Sequence, residues 1–245
     1  MMMVAMLSVG FVSCGGDDDD GFPNWPDAPG GPPSGGGWGI QPHDFKAVNA
    51  DGVTIYYKFT DNNTAVEVWR DRGLEASYRG KVVIPSSVTH NGKTYAVIAI
   101  GEGAFSCCSD LTEITIPNSV MSIGRSAFYY CRKLESVTIP NSVTKIGEVA
   151  FVECGLESVT IGNSVAEIGD YAFAECKSLY TLYSLNTTPP NVHSLAFYTA
   201  NNYDGCYERI RVFVPQEALE AYRKAGVWKD FRYLRGFDPT ELKLR

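Results

Sequence analysis

The amino-acid sequence predicts an α/β solenoid, in which one short segment repeats along the chain and the repeats stack on one another. Between residues 101 and 176 one pattern occurs three times and begins a fourth time, as AFSCCSDLTEITIPNSVMSIG, AFYYCRKLESVTIPNSVTKIG, AFVECGLESVTIGNSVAEIG and AFAECKSLYTL. Each copy starts with an Ala-Phe pair, and successive phenylalanines are 23, 23 and 22 residues apart. A period of this length indicates stacked coils that bury their apolar faces against each other. We predict about 5 coils of 22–24 residues.

The repeated phenylalanines and cysteines are predicted to form two buried ladders along the stack. These are Phe105, Phe128, Phe151 and Phe173, and Cys108, Cys131, Cys154 and Cys176. Adjacent coils lie about 4.8 Å apart, so that each ring stacks on the next. Cysteine is among the residue types that are most often buried. A disulfide between neighbouring rungs would require parallel side chains to twist towards each other. We therefore expect apolar packing of the cysteines.

Within each coil, the apolar residues predict two inward-facing segments. In the first copy Leu111, Ile114 and Ile116 point inward from a parallel strand, which a Pro-Asn-Ser turn ends. Val120 and Ile123 then begin a second short segment, which a glycine closes. The Ala-Phe pair lies on a short helical or turn segment that completes the coil. Threonines and serines occupy the outward strand positions, as expected for an exposed β surface.

The segments that flank the repeats are expected to cap the stack, because a solenoid needs terminal units that cover its end coils. Alternating apolar residues around Asp61-Asn62-Asn63 predict a hairpin before the repeats, and residues 89–93 predict a protruding hairpin within the first coil. Val212 to Val214 predict a last strand, followed by a short amphipathic helix over 216–225. The predicted segments are a signal peptide (1–13), a lipidated tether (14–44), an N-terminal β-hairpin cap (45–80), the repeats (81–207) and a C-terminal strand-helix cap (208–245).

The first residues resemble a bacterial lipoprotein signal. About thirteen apolar residues are too few to span a bilayer, which takes about 20, but they suit the apolar region of a signal peptide. Val12-Ser13-Cys14-Gly15 resembles the cleavage site of such a signal. The resemblance implies that Cys14 becomes the lipid-modified first residue after cleavage. Asp17 to Asp20 resemble the acidic export signal of Bacteroidetes-type surface lipoproteins, which implies an outer-membrane location at the cell surface. The alternative is a buried N-terminal strand with an incidental cysteine.

A tether would follow the acidic run. Residues 21–42 contain seven glycines and six prolines, a composition that cannot pack a core of its own. The net charge of −7 also lies mostly here, because residues 1–44 contain six aspartates and no Lys, Arg or Glu. The near-neutral remainder shows no basic surface for nucleic acid or for an anionic membrane. We predict no nucleic-acid partner and a membrane association through the lipid anchor only.

No catalytic or metal-binding motif is found in the sequence. The three histidines fall in the tether, in an inserted turn and in an irregular loop, without the spacing of a metal site. The nucleophile elbow, the HExxH zinc motif and the phosphate-binding glycine loop do not occur. We therefore predict a protein that is not an enzyme and needs no cofactor.

The repeat elements A-F-x-x-C, L-x-x-[IV]-x-I-P and S-V-x-x-I-G resemble the BspA-type leucine-rich repeat family of bacterial surface proteins, from about Ile84 to Cys176. The flanking hairpin and the segment after Val212 resemble the entry and exit segments of that family. The resemblance implies a leucine-rich-repeat stack outside the cell that binds host proteins, other cells or glycans. It implies no catalytic residues.

Tyrosines near the end of the repeats form the one candidate binding patch, where residues 179–206 depart from the pattern. They are Tyr180, Tyr183, Tyr198, Tyr203 and Tyr207. Exposed aromatic side chains provide contact area at low entropic cost, which suits a binding site. The alternative is that these rings cover the end of the stack. The predicted function is adhesin-like binding of an extracellular protein. The alternatives are a glycan-binding accessory of a surface polysaccharide system and a structural component that contacts other surface proteins.

Overall fold

The computed structural model describes residues 43–60, 62–70, 78–199 and 205–241. The predicted signal peptide, the lipid-attachment residue Cys14, most of the tether and Tyr203 lie outside the described residues.

The described chain is built almost entirely from short strands. The strands are β1 (Phe45–Val48), β2 (Thr54–Phe59), β3 (Ala65–Trp69), β4 (Gly80–Val83), β5 (Ser87–His90), β6 (Lys93–Ile100), β7 (Leu111–Thr115), β8 (Ser122–Ile123), β9 (Ser136–Ile139), β10 (Lys145–Ile146), β11 (Ser158–Ile161), β12 (Glu167–Ile168), β13 (Thr181–Ser184), β14 (Asn191–Val192), β15 (Arg211–Pro215) and β16 (Tyr233–Phe237). The helices are α1 (Gly205–Arg209) and α2 (Leu219–Tyr222), with 3₁₀ turns at Gln216–Ala218, Val227–Asp230 and Pro239–Glu241.

The strands form the predicted solenoid. Longer strands form one parallel sheet, ordered β16-β15-β13-β11-β9. The two-residue strands of the coils lie in a second sheet, ordered β1-β2-β3-β6-β8-β10-β12-β14. β4 and β7 pair separately, and β5 pairs with β6. Val137, Val159 and Leu182 are aligned in successive coils, and all three are buried. The prediction of a leucine-rich-repeat stack with parallel strands is confirmed.

Stacked aromatic rings form the centre of the solenoid. Centroids of Phe105, Phe128, Phe151, Phe173 and Phe197 are separated by 5.1, 4.9, 5.1 and 5.5 Å, and adjacent rings are within 9° of parallel. Tyr78 packs on the first ring at 4.6 Å, and Phe231 meets the last one edge-on at 5.3 Å. We call these seven residues the aromatic spine. Phe197, from the irregular coil, adds a fifth ring to the ladder of four phenylalanines that the sequence predicts.

The segments that carry the phenylalanines are turns in the regular coils. Alternate amides in each turn donate to the next coil instead of to their own segment, for example Phe105 N–H to Ala127 O and Phe128 N–H to Ala150 O, both at 2.7 Å. An α-helix would use these amides within itself. The residue before each ladder cysteine has a positive φ, as expected for a turn and not for a helix. These residues are Cys107 (62°), Tyr130 (63°), Glu153 (53°) and Glu175 (55°).

The cysteine ladder is buried as expected, but its thiols are also hydrogen-bond donors. The thiols of Cys131, Cys154 and Cys176 each donate to the phenylalanine carbonyl of the preceding coil. The Sγ–O distances are 3.2 Å for Cys131 to Phe105, 3.0 Å for Cys154 to Phe128 and 3.0 Å for Cys176 to Phe151. The four ladder cysteines are not disulfide-bonded. Burial raises the pKa of the Cys154 and Cys176 thiols well above the ordinary value, which keeps the donating proton in place.

A glycine ladder allows the second sheet to stack closely. A Cβ on Gly124 would lie 2.8 Å from the carbonyl carbon of Gly101, and one on Gly147 would lie 2.6 Å from that of Gly124. Such distances are shorter than van der Waals contact, so a side chain at these positions would push the coils apart. The glycine that ends each repeat is therefore required by the close approach of two backbones.

Side chains after the strands also bond between coils. Ser119 Oγ donates to Val97 O at 2.7 Å, and Ser142 Oγ donates to Val120 O at 2.6 Å. In the irregular coil, Asn186 takes over this role and donates to Val165 O at 2.6 Å. This coil therefore keeps the cross-coil bond although its sequence departs from Pro-Asn-Ser.

The N-terminal end of the stack is covered by a three-stranded meander. β2 and β3 pair antiparallel as the alternation predicts, β1 adds a third antiparallel strand, and β3 runs parallel to β6. The inserted turn forms the predicted hairpin between β5 and β6, with positive φ at Asn91 and Gly92.

The C-terminal end is covered by aromatic side chains with satisfied polar groups. Tyr222 Oη lies 2.8 Å from Ser184 Oγ, and Trp228 Nε1 donates to Pro190 O at 2.9 Å. Residues 212–214 form a strand as predicted, within β15, but it is not the last one, because β16 follows and pairs parallel with β15. Of the side chains of β16, only Leu234 packs against the core, so its sequence lacks the apolar alternation that would have indicated a strand.

Removing one ring from the middle of the aromatic spine should destabilise the whole stack. For Phe151→Ala we expect a loss of about 3–5 kcal/mol in the free energy of unfolding, since the cavity lies between two rings. Urea denaturation followed by circular dichroism measures it. Met121→Ala, at a side chain that is 49% exposed, is the control and should change stability by less than about 0.5 kcal/mol. Equal effects of the two variants would contradict the packing described.

The buried thiols should make stability fall in alkaline solution. An unfolded thiol ionises near pH 8.5, whereas the folded Cys154 keeps its proton because burial raises its pKa. The unfolded state then binds fewer protons, so the free energy of unfolding decreases as pH rises, by up to about 1.4 kcal/mol per pH unit for each thiol. Urea titrations from pH 8 to pH 10 should show a shallower decrease for Cys154→Ala than for wild type. Parallel curves would contradict this account.

Candidate functional site

The outward surface of the longer strands is the candidate site. Because successive side chains of a strand point to opposite faces, every second residue of these strands faces away from the core. The parallel register aligns these outward residues in rows, one residue from each of β9, β11, β13, β15 and β16. One row contains Thr138, Thr160, Tyr183, Phe213 and Arg235, and the neighbouring row contains Ser136, Ser158, Thr181, Arg211 and Tyr233. We call this surface, with the outward residues of β7, the strand face.

The half of the strand face nearest the N-terminus is polar. A shallow trough with a volume of about 760 Å³ runs over β7, β9 and β11. Thr115, Thr138 and Thr160 line it, together with Glu135. These polar side chains repeat at the distance between neighbouring strands, and they can form hydrogen bonds with a ligand.

The other half of the strand face is aromatic. The ring of Tyr183 stacks on that of Phe213, with centroids 5.0 Å apart and planes 19° from parallel. Phe237 meets Tyr183 edge-on at 5.4 Å. Tyr180 and Tyr233 flank these rings and are 48% and 39% exposed. Tyr183 and Phe213 therefore each have one ring face covered by the other.

Two of the predicted tyrosines lie on this surface. Tyr183 is aligned with Thr160, as its place in the repeat predicts. The backbone N–H of Tyr180 donates to Glu157 O at 3.1 Å, and its hydroxyl donates to Glu157 Oε2 at 3.3 Å. Their positions are set by the rigid sheet beneath them. Their role in binding stays a prediction.

The other described tyrosines of the predicted patch lie elsewhere. Tyr207 is in α1, where its hydroxyl donates to Ser194 O at 3.3 Å and its ring meets Phe231 edge-on at 5.0 Å. Burial raises its pKa to about 12. Tyr198 follows the turn of the irregular coil and meets Tyr171 edge-on at 5.9 Å. The contacts of Tyr207 are those of a residue that covers the end of the stack.

Sequence reasoning missed three aromatic residues of the strand face. Phe213 could have been found, since it alternates with the inward Val212 and Val214. Tyr233 and Phe237 lie on β16, the strand that the sequence pattern does not indicate. The aromatic surface therefore extends further towards the C-terminus than the tyrosine pattern suggests.

A furrow crosses the second sheet along the glycine ladder, with a volume of about 730 Å³. Two side-chain pairs line it: Lys145 Nζ lies 3.0 Å from Glu167 Oε1, and His193 Nδ1 lies 2.7 Å from Asp170 Oδ1. Burial raises the pKa of Asp170, and His193 partly offsets that effect. Arg125 and Glu148 also line the furrow.

Within the described ranges, no three His, Cys, Asp or Glu side chains are grouped so that they could hold a metal ion. The described helices are also too short to cross a bilayer.

Residues 98–204 match the sequence model of the BspA type leucine rich repeat region, in six copies. The match starts later than the predicted range of 84 to 176, and it ends later because it includes the irregular coil. A search of curated proteins finds no match.

The chain is similar to solved structures of leucine-rich repeat proteins. A protein from Bacteroides ovatus ATCC 8483 is 30% identical over 66% of this chain and 46% of its own, with a TM-score of 0.44. The T. pallidum leucine rich repeat protein is 26% identical over 53% of this chain and 68% of its own, with a TM-score of 0.42. A leucine rich cell surface protein from Faecalibacterium prausnitzii A2-165 is 21% identical over 69% of this chain and 54% of its own, with a TM-score of 0.42. The chain thus spans less than half the length of the Bacteroides ovatus protein.

Proposed function

Since residues 98–204 are a BspA-type leucine-rich repeat region, we propose that the chain is a surface-exposed, adhesin-like protein whose strand face binds an extracellular protein without a catalytic step. The observation that carries this proposal is the aromatic half of the strand face. Tyrosine and arginine are enriched among the residues that dominate binding energy at protein interfaces. On the strand face, the tyrosine and arginine side chains project from a sheet that fixes their positions, which lowers the entropic cost of binding.

The ring geometry favours a protein partner over a glycan. A sugar ring would stack on an open aromatic face, but Tyr183 and Phe213 each have one face already covered by the other, with centroids 5.0 Å apart. Ring edges carry partial positive charge and pack well against aliphatic, aromatic and carbonyl groups of a protein surface. The polar trough over β7 to β11 keeps glycan binding as the second candidate, because hydroxyl and carboxylate groups line it.

Display outside the cell is part of the same proposal. The lipoprotein-like sequence at Cys14 and the acidic run Asp17 to Asp20 would anchor the chain in the outer membrane. Residues 14–44 would then hold the repeat domain away from the membrane surface. The membrane contact would be the lipid alone.

The test is binding of the full chain to immobilised extracellular matrix proteins, to a glycan panel and to surface proteins of the same bacterium. We expect saturable binding to a matrix protein that falls at least tenfold in Tyr180→Ser/Tyr183→Ser, since both side chains lie on the strand face. Tyr171→Ser/Tyr198→Ser is the matched control. It removes two tyrosines that pack on each other at the edge of the stack, and it should bind like wild type.

The other outcomes identify the rival functions. Binding to glycans alone would favour the accessory of a polysaccharide system. Capture of proteins only from the same cell would favour a structural or assembly role. Matrix binding that survives the Tyr180/Tyr183 change would contradict the strand face as the site. Circular dichroism of each variant shows whether the fold is intact.

A further inference from the structure

The outer edge of β16 is an unfilled position in the parallel sheet. Within the described residues, β16 pairs with β15 along its full length, from Tyr233 to Phe237, and with no other strand. Its five residues make no further hydrogen bond in the described chain. In parallel sheets each inner strand is bonded on both sides, so the second edge of β16 presents backbone N–H and C=O groups for another strand.

This edge lacks most of the features that usually prevent strand addition. Natural edge strands are protected by charged side chains, especially lysine, and by proline, bulges or very short length. β16 has five residues in unbroken register, with neither lysine nor proline among them, and Arg235 is its one charged residue. Proline first occurs at Pro239, in the 3₁₀ turn beyond the strand. The edge is therefore open to pairing.

The side chains beside this edge indicate the charge of the incoming strand. Arg211 lies opposite Tyr233, and Phe213 lies opposite Arg235, so that cations and rings alternate over β15 and β16. Both arginines are exposed, and in the described part of the chain neither forms an ion pair. The nearby Arg232, by contrast, is held by Glu208 at 2.6 Å. Arg211 and Arg235 thus leave two positive charges uncompensated.

We propose that a partner protein adds an extended strand to β16, with an Asp or Glu side chain opposite Arg235 and apolar side chains opposite Tyr233 and Phe237. This inference rests on the proposed function and specifies the chemistry of its partner. Strand addition uses main-chain hydrogen bonds for affinity and alternate side chains for specificity. Cross-strand pairs of opposite charge and pairs of aromatic with β-branched residues stabilise neighbouring strands. A glycan or a lipid surface has no backbone amides and could not use this edge.

The test selects peptides from a random octapeptide phage library against the full chain. We expect enriched peptides that alternate apolar and polar residues, with Asp or Glu at one fixed position. A synthetic peptide of the enriched sequence should lose at least tenfold in affinity when alternate backbone nitrogens are methylated, because these N–H groups pair with β16. The affinity of the unmethylated peptide should fall at least tenfold for the Arg235→Glu protein and by less for the Arg235→Gln protein.

The control variant is Lys93→Glu, which changes the net charge equally at the hairpin of the first coil. It should bind the selected peptide like wild type. No enriched peptide, enrichment without an acidic preference, or affinity that survives backbone methylation would overturn the inference. Such a failure is separate from a failure of the proposed function, which is decided by matrix binding and the Tyr180/Tyr183 change.

Discussion

The hydrogen bonds between turns of neighbouring coils are the interaction on which the rest of the structure depends. The amides of Phe105, Phe128 and Phe151 each donate across to the next coil at 2.7 Å. Because these bonds fix the separation of the turns, they set the spacing of the phenylalanine rings, at about 5 Å. The hydrogen bonds of the thiols and the close backbone contacts at the glycine ladder maintain the same spacing between coils. No coil can bury its apolar side chains alone, so stability arises from contacts between neighbours.

This constraint also explains the strand face. Coils held at one spacing align their outward side chains in rows, so the properties of the surface change only when the repeat sequence changes. Threonine and serine give a polar trough over the regular coils, whereas Tyr183 and Phe213 replace them in the later ones. The candidate site thus lies where the repeat becomes irregular. The same irregular region carries the strand edge that remains open at β16.

Much of the stack could be predicted because it repeats. The positions of Phe128 and Cys131 are set by their equivalents one coil away, and Tyr183 was placed outward by the same reasoning. β16 could not be predicted, since only Leu234 packs against the core and the arginine and glycine beside it obscure the strand pattern. The positive φ of Tyr130 and Glu153 was also hidden, because neither residue type indicates a left-handed backbone. The sequence also did not show that Tyr207 lies apart from Tyr180, because the contact of Tyr207 with Phe231 joins residues that are distant in the chain.

Hydrogen exchange at single amides tests the central role of the cross-coil bonds most directly. The amides of Phe128 and Phe151 lie in turns, where exchange is usually fast. The account predicts that both are protected as strongly as the amide of Val159 in β11, because they open only when the stack separates. Protection of the strand amide together with fast exchange at both phenylalanines would contradict it, since the turns would then not hold the coils together.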